Sequence, residues 1–293
     1  MHSERSLRGI YRPGSHHWVG DGFHVHNLFP SNELDRELSP FLLLDYAAPE
    51  NFPPSDRPHG VGEHPHRGFE TVTVVYQGEL EHRDSSGSGG RIGPGDVQWM
   101  TAGGGLVHEE FHARDFAKRG GVVEMVQLWV NLPRTHKLTT PRYQSIVDRN
   151  IPSVALAGGG SARLIAGSLG EKHGPAATFS PVNLFDLRLA GGSSVEIPVP
   201  NGHSAGVFVL HGALKLSDGR ELGETGLAVY ARDGDTIRLK ATRDSIALLL
   251  GGEPIEEPIA RHGPFVMNTQ EEIIHAIDDY RAGRMGHLPS RSA

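Results

Sequence analysis

Two short segments carry the side chains best suited to chemistry. The first is His64-Pro65-His66-Arg67-Gly68-Phe69-Glu70, and the second is His108-Glu109-Glu110. In an extended strand, residues two apart face the same side, about 6.6 Å from each other. His64 and His66 therefore share a face, and the same count puts Gly68 and Glu70 in line with them. Two imidazoles on one strand make half of a metal site. A third ligand must come from another strand. His108 and Glu110 share parity and can both point inward, and His112 continues that parity. Three histidines and one carboxylate, with no sulfur, suit a divalent transition metal. If two positions stay open in a six-coordinate geometry, the set fits iron(II), with manganese close behind. Tetrahedral zinc on three histidines is the competing chemistry. On parity alone, either Glu110 or Glu70 completes the set.

Other constellations are weaker. His24-Val25-His26 repeats the histidine spacing but lacks a neighbouring carboxylate, and it is read as structural. Gly103-Gly104-Gly105 is followed by no Gly-Lys-Ser/Thr and no helix, so it is read as a tight turn that positions His108, not as a phosphate loop. No Gly-x-Ser-x-Gly elbow is present, which leaves Ser-His-Asp catalysis unsupported. Trp99 and Trp129 sit on strands and are assigned to the core. The chain has no cysteine, which excludes disulfides, thiolate metal sites, iron–sulfur clusters and cysteine nucleophiles.

The elements that must position these residues read as β. Thr71–Tyr76 is rich in β-branched residues. The Gln77-Gly78 turn follows it, then Glu79–His82, the glycine-rich turn at Asp84–Gly90, and the turn Gly93-Pro94-Gly95-Asp96. Val97–Met100 restarts a strand, and Val122–Leu132 is a long one that stops at Pro133. Glycine numbers 38 of 293 residues, nearly twice the typical ~7%. Short strands at this spacing with glycine turns point to a sandwich or small barrel. Pro133 to Gly160 is punctuated by proline and glycine, Ala157–Ser161 reads as a loop, and a domain boundary is placed near residue 150.

The second half repeats the theme. Val74–Leu80 aligns with Phe208–Leu214, each an apolar strand, one polar residue, a glycine and a new strand. The repeat predicts two copies of one β-fold. Matching Gly78 to Gly212 puts Pro198 opposite His64, Pro200 opposite His66 and Ser204 opposite Glu70, with Arg238 and Leu239 near the equivalent of His108. The second copy thus lacks the ligands. Near the end, Thr269 and Glu272 form a capping box for a helix. Ile273, Ile277 and Tyr280 give it an apolar face, with Ile274 and Ala276 alongside, and Gly283 can end it.

The formal charge is −7 with histidine neutral. An acidic chain without a long basic run is a poor candidate for direct nucleic-acid binding. The polar N-terminus has no apolar signal region, and no apolar run is long enough to span a bilayer. The expectation is a cytoplasmic protein with no membrane contact.

His64-x-His66-x3-Glu70, Gly78, Gly93-Pro94-Gly95 and His108 resemble the two metal motifs of the cupin superfamily. The chain is more similar still to the pirin family. The similarity lies in His64 to Thr71 (HPHRGFET), Gln98 to Gly103 (QWMTAG), His108-x-Glu110, Pro40 to Asp45 (PFLLLD), Gln127 to Pro133 (QLWVNLP) and Pro264 to Thr269 (PFVMNT). The resemblance implies an all-β bicupin: two double-stranded β-helix barrels, here 1–150 with metal and 151–293 without, plus a C-terminal α-helix. It implies one metal, most often iron(II), with manganese, nickel, cobalt or zinc as alternatives. The implied ligands are His64, His66, His108 and Glu110, which favours Glu110 over Glu70. It departs at His24 and His26, where basic residues are more usual, and at Glu109, where a small residue is common.

Bacterial members resembling this chain are associated with quercetin 2,3-dioxygenase activity. That implies a flavonol-like aromatic substrate, dioxygen, release of carbon monoxide, and Glu110 as the catalytic base. An animal member is known as a redox-sensitive co-regulator. The alternative expectation is therefore a metal-containing, redox-sensing module read by a protein partner, which the acidic charge permits. A zinc hydrolase using His64, His66 and His108 leaves the order of the motifs and Glu110 unexplained.

Overall fold

β-branched side chains favour a pleated, buried surface, and Thr71–Tyr76 lies within the strand Phe69–Gln77. The structure is a computed structural model that describes residues 3–14, 16–29 and 32–288. The chain folds as two units. One is Met1–Gly14, Leu28–Leu42 and Arg149–Pro254; the other is Ser15–Asn27, Leu43–Asp148 and Ile255–Ala293. They are not consecutive halves. Leu7–Tyr11 pairs with Leu227–Tyr230, while the C-terminal helix belongs with the unit that carries the histidine motifs.

In the histidine-bearing unit a seven-stranded sheet runs Arg142–Ile146, Val97–Thr101, Phe69–Gln77, Gly121–Asn131, Phe41–Phe52, Phe23–Asn27, His16–Val19. A four-stranded sheet runs Gly60–His66, Leu106–His112, Leu80–Asp84, Gly89–Ile92. In the other unit the seven-stranded order is Leu7–Tyr11, Leu227–Tyr230, Ser204–His211, Ser245–Gly252, Val182–Leu189, Ser161–Ala166, Ser153–Ala155. Its four-stranded order is Ser194–Pro198, Thr236–Ala241, Ala213–Leu216, Glu221–Gly223. The two lists match strand for strand, so the repeat extends to both sheets of each barrel. Gly78 and Gly212 mark equivalent turns at φ +85° and +86°, a region that side chains with a Cβ avoid.

The strand register corrects the repeat at the ligand positions. His108 pairs with His64, and Glu110 with His82. The matching pairs are Ile237 with Ile197, and Leu239 with Leu216. Ile197, Val199, Ile237 and Leu239 therefore stand where His64, His66, His108 and Glu110 stand, in place of Pro198, Pro200 and Arg238. A slip of one residue inverts the face a strand presents. The substituted residues are aliphatic, buried and part of one apolar core, and they offer no lone pair.

The structure adds two details. Pro133–Gly160 contains the strand Arg142–Ile146, which pairs with Val97–Thr101. Its flanking prolines and glycines hide a short edge strand. The helix Gln270–Arg281 has the full capping box, but it buries only Ile273 and Ala276, with Ile277 partly covered. Ile274 and Tyr280 are 57% and 39% exposed. Among the described residues no helix is long and apolar enough to cross a membrane.

Candidate metal centre

His64 and His66 lie on Gly60–His66, and His108 and Glu110 lie on the neighbouring antiparallel strand Leu106–His112. His64 is directly opposite His108, and the register shifts between His108 and Glu110. The three imidazoles converge, with ring centroids 4.9 Å (His64–His66), 4.2 Å (His64–His108) and 4.8 Å (His66–His108) apart. One ligand atom from each lies within 4.8 Å of the others. Glu110 meets the same spacing with His108 and His82, not with all three. The group is a His/Glu cluster that could hold one metal ion.

The ring nitrogens are sorted for this task. His64 Nδ1 is 2.8 Å from the Gly62 carbonyl oxygen, and His66 Nδ1 is 3.3 Å from that of Pro264. A carbonyl only accepts, so each Nδ1 carries the hydrogen and each Nε2 keeps its lone pair. His108 Nε2 is buried with no hydrogen-bond partner. A buried orphan nitrogen is costly by itself, and a metal ion satisfies it. Burial first, then the neighbouring histidines, holds His66 and His108 well below the ordinary histidine range. Both are therefore neutral near pH 7, as metal ligation requires. The donor set fits a divalent transition ion.

Glu110 is held by two amides. Gln98 Nε2 donates to its Oε1 at 2.7 Å, and Gln127 Nε2 donates to its Oε2 at 3.0 Å. Trp129, assigned to the core from sequence, instead packs on His66 at 5.4 Å and on Phe69 at 4.3 Å between ring centroids. Arg261 lies 5.0 Å over its ring. Trp99 is fully buried, as expected. Tyr143 stacks on His82 at 4.9 Å and donates to Gln98 Oε1 at 3.2 Å. His64, Gln127, Trp129 and Tyr143 are only half-buried, so the cluster has a solvent-facing side.

The remaining histidines and carboxylates singled out from sequence stand apart from the cluster. Glu70 is not in line with His64 and His66, because the strand breaks at Gly68 and resumes in the other sheet. Gly68 has φ +87°, and a Cβ there would meet the Val266 carbonyl oxygen at 2.0 Å. Phe69, not Glu70, contacts His66, with ring centroids 5.0 Å apart. Glu70 instead accepts a hydrogen bond from Thr101 Oγ1 at 2.7 Å. His112 lies among Phe23, Phe52 and Phe116, with Nε2 3.0 Å from the Gly22 carbonyl oxygen. Glu109 pairs with Arg83 at 2.7 Å, on the opposite face from the cluster. His24 stacks on Trp18 and lies 3.5 Å from Glu50, and His26 packs edge-on to His16.

Sequence reasoning gave no role to His82, Asp84, Gln98, Gln127 or Tyr143. A signal existed for four of them. His82 and Asp84 share parity beside a glycine turn, and Gln98 and Gln127 each stand between two apolar neighbours.

Glu70 yields a prediction. Burial pushes its carboxyl up to about 7, against the hydrogen bond from Thr101 and the charge of Arg142. The folded state then holds the proton to higher pH than the unfolded chain, whose value is 4.5. Its contribution to stability is full below about 4.5 and is lost as pH rises through about 7, a change of about 3 kcal/mol. Glu70→Gln should remove that fall. Urea unfolding at pH 5 and pH 8 measures it, and an equal pH dependence in both proteins contradicts it.

The family model described as Pirin matches residues 22–130, and the Pirin C-terminal cupin domain matches 184–286. A Pseudomonas aeruginosa protein provisionally named a quercetin 2,3-dioxygenase is 52% identical over 96% of this chain and 98% of its own length. Human pirin is 35% identical over 91% of this chain and 89% of its own. A crystal structure titled quercetin 2,3-dioxygenase, from Acinetobacter baumannii, is 51% identical and superposes with a TM-score of 0.94 over 97% of this chain and 99% of that one. With both barrels, the cupin fold and these relatives in agreement, the chain belongs to the pirin family.

Proposed function

We propose that this chain is a metal-dependent dioxygenase that opens the central ring of a flavonol, as a quercetin 2,3-dioxygenase does. The ligands are His64, His66, His108 and Glu110, and the ion is iron(II), with manganese, nickel, cobalt or zinc as alternatives. One observation carries the reading: beside buried His66 and His108, His64 and the neighbouring Gln127 and Trp129 are only half-buried. A purely structural metal site would be closed. The relatives' names supply the substrate class.

A divalent ion held by these residues would supply Lewis acidity toward a flavonol oxygen. The protein's own residues do the rest. Half-buried Trp129, backed by buried Phe69, sets an aromatic side chain beside His66. Glu110 accepts the proton of the flavonol hydroxyl, and Gln98 and Gln127 fix the directions of its two oxygens. Neutral His66 and His108 keep their Nε2 lone pairs for the ion.

The test is dioxygen uptake by iron-loaded protein offered a flavonol panel that includes quercetin. Consumption of one dioxygen and release of one carbon monoxide per flavonol is expected. A metal-loaded sample that takes up no dioxygen with any flavonol overturns the activity.

A further inference from the structure

His64 and His66 anchor their Nδ1 atoms on backbone carbonyls, but His108 does so on side chains. His108 Nδ1 lies 3.3 Å from His82 Nδ1, and His82 Nε2 lies 3.2 Å from Asp84 Oδ2. His108, His82 and Asp84 are at most 3% exposed. Strand register sets the line, since Asp84 is opposite His108 and His82 is opposite Glu110.

The hydrogens follow from the acceptors. The Asp84 carboxylate only accepts, so His82 Nε2 carries the hydrogen. A neutral imidazole has one N–H, which leaves His82 Nδ1 as an acceptor. The Gln98 amide nitrogen, 3.4 Å from that atom, is a donor and agrees. His108 Nδ1 must then carry its hydrogen, and the lone pair falls on Nε2, the buried orphan atom. Asp84 is itself fixed. Its Oδ1 accepts from Ser86 N at 2.8 Å, Ser86 Oγ at 2.6 Å and Ser88 N at 3.1 Å. Tyr143, stacked 14° from parallel, holds the plane of the His82 ring.

We propose that Asp84 and His82 are positioning residues that lock His108 in its Nδ1–H tautomer and aim Nε2 at the metal ion, without touching the ion. The inference rests on the metal-site part of the proposed function and not on its oxygenase part.

Asp84→Asn is the sharpest variant. Its single carbonyl oxygen stays with the three donors from Ser86 and Ser88, so the amide N–H group faces His82 Nε2. That reverses the relay and puts a hydrogen on His108 Nε2. Partners of metal-bound histidines typically govern metal affinity by about 10–100-fold. The probe is cobalt(II) titrated into metal-free protein against a chelator. Proton spectra of the cobalt form also record the exchangeable N–H signals of the bound histidines.

Asp84→Asn and His82→Phe should bind cobalt about 10–100-fold more weakly. The His108 N–H signal should exchange faster or vanish in both. His82→Asn, which restores an acceptor near the Nδ1 position, should recover part of the loss. Circular dichroism checks folding, and if His82→Phe does not fold, the near-isosteric Asp84→Asn decides. Wild-type affinity and wild-type signals in Asp84→Asn and His82→Asn overturn the inference. A fourth bound-histidine signal, lost in His82→Asn, also overturns it by making His82 a ligand. No flavonol enters the measurement, so a failed oxygenase assay does not alter what the cobalt titration shows. Wild-type protein that binds no cobalt would refute the metal site itself.

Discussion

His108→Ala should weaken binding of a divalent transition ion by more than about 100-fold, since altering a ligand's partner alone typically costs 10–100-fold. His108 occupies the centre of the arrangement. Its ring is 4.2 Å from that of His64 and 4.8 Å from that of His66, and it belongs to both groups that could hold an ion. Without it, His64 and His66 remain as one pair on one strand. His112→Ala is the control. His112 is equally buried and has the same strand parity, but its ring packs among phenylalanines. It should leave the affinity within about threefold, because it lies outside the candidate clusters. Calorimetric titration of zinc or cobalt into metal-free protein measures both. A His108→Ala protein that binds as tightly as wild type contradicts the assignment.

Lys137→Met should cost about 3 kcal/mol of stability, because it takes the donor away from three buried acceptors. Lys137 is 2% exposed. Its Nζ donates to the Gly68 carbonyl at 2.8 Å, Asn131 Oδ1 at 2.7 Å and the Val266 carbonyl at 2.9 Å. The three acceptors match the three hydrogens of an ammonium group. They also tie three pieces of chain together: the break after His66, the end of Gly121–Asn131, and the strand Phe265–Met267 that precedes the C-terminal helix. Methionine fills similar space and donates nothing, so three buried acceptors lose their partner at about 1–3 kcal/mol for each one left unsatisfied. Urea unfolding monitored by tryptophan fluorescence reads the loss. A change under about 1 kcal/mol would mean that water replaces the ammonium group and that the clamp is dispensable.

The histidine cluster was legible because it obeys the period of two within single strands. His64 with His66, and His108 with Glu110, each occupy one uninterrupted strand. The same count failed for Glu70, because Gly68 turns the chain from one sheet into the other and parity does not cross such a break. For His112 the parity held, yet its ring lies outside the cluster. Parity fixes the face of a strand, and position along the barrel decides what that face meets. The repeat was visible through Gly78 and Gly212, whose positive φ angles recur at equivalent turns. Its ligand positions were misaligned, since the loops between strands differ in length and a one-residue error exchanges Pro198 for Ile197. Trp129 was missed as a site residue because a large aromatic on a strand carries the same signal in a core as beside a pocket. Only its contact with His66 separates the two.

The cupin barrel carrying His64, His66 and His108 should hold one metal ion, while the other presents Ile197, Val199, Ile237 and Leu239 at the matching positions. Elemental analysis of the full chain, purified without chelator and then saturated with iron(II) under anaerobic conditions, tests it directly. One transition-metal ion per chain should remain after removal of loosely bound ions. No retained metal, or two equivalents bound with similar affinity, would contradict it.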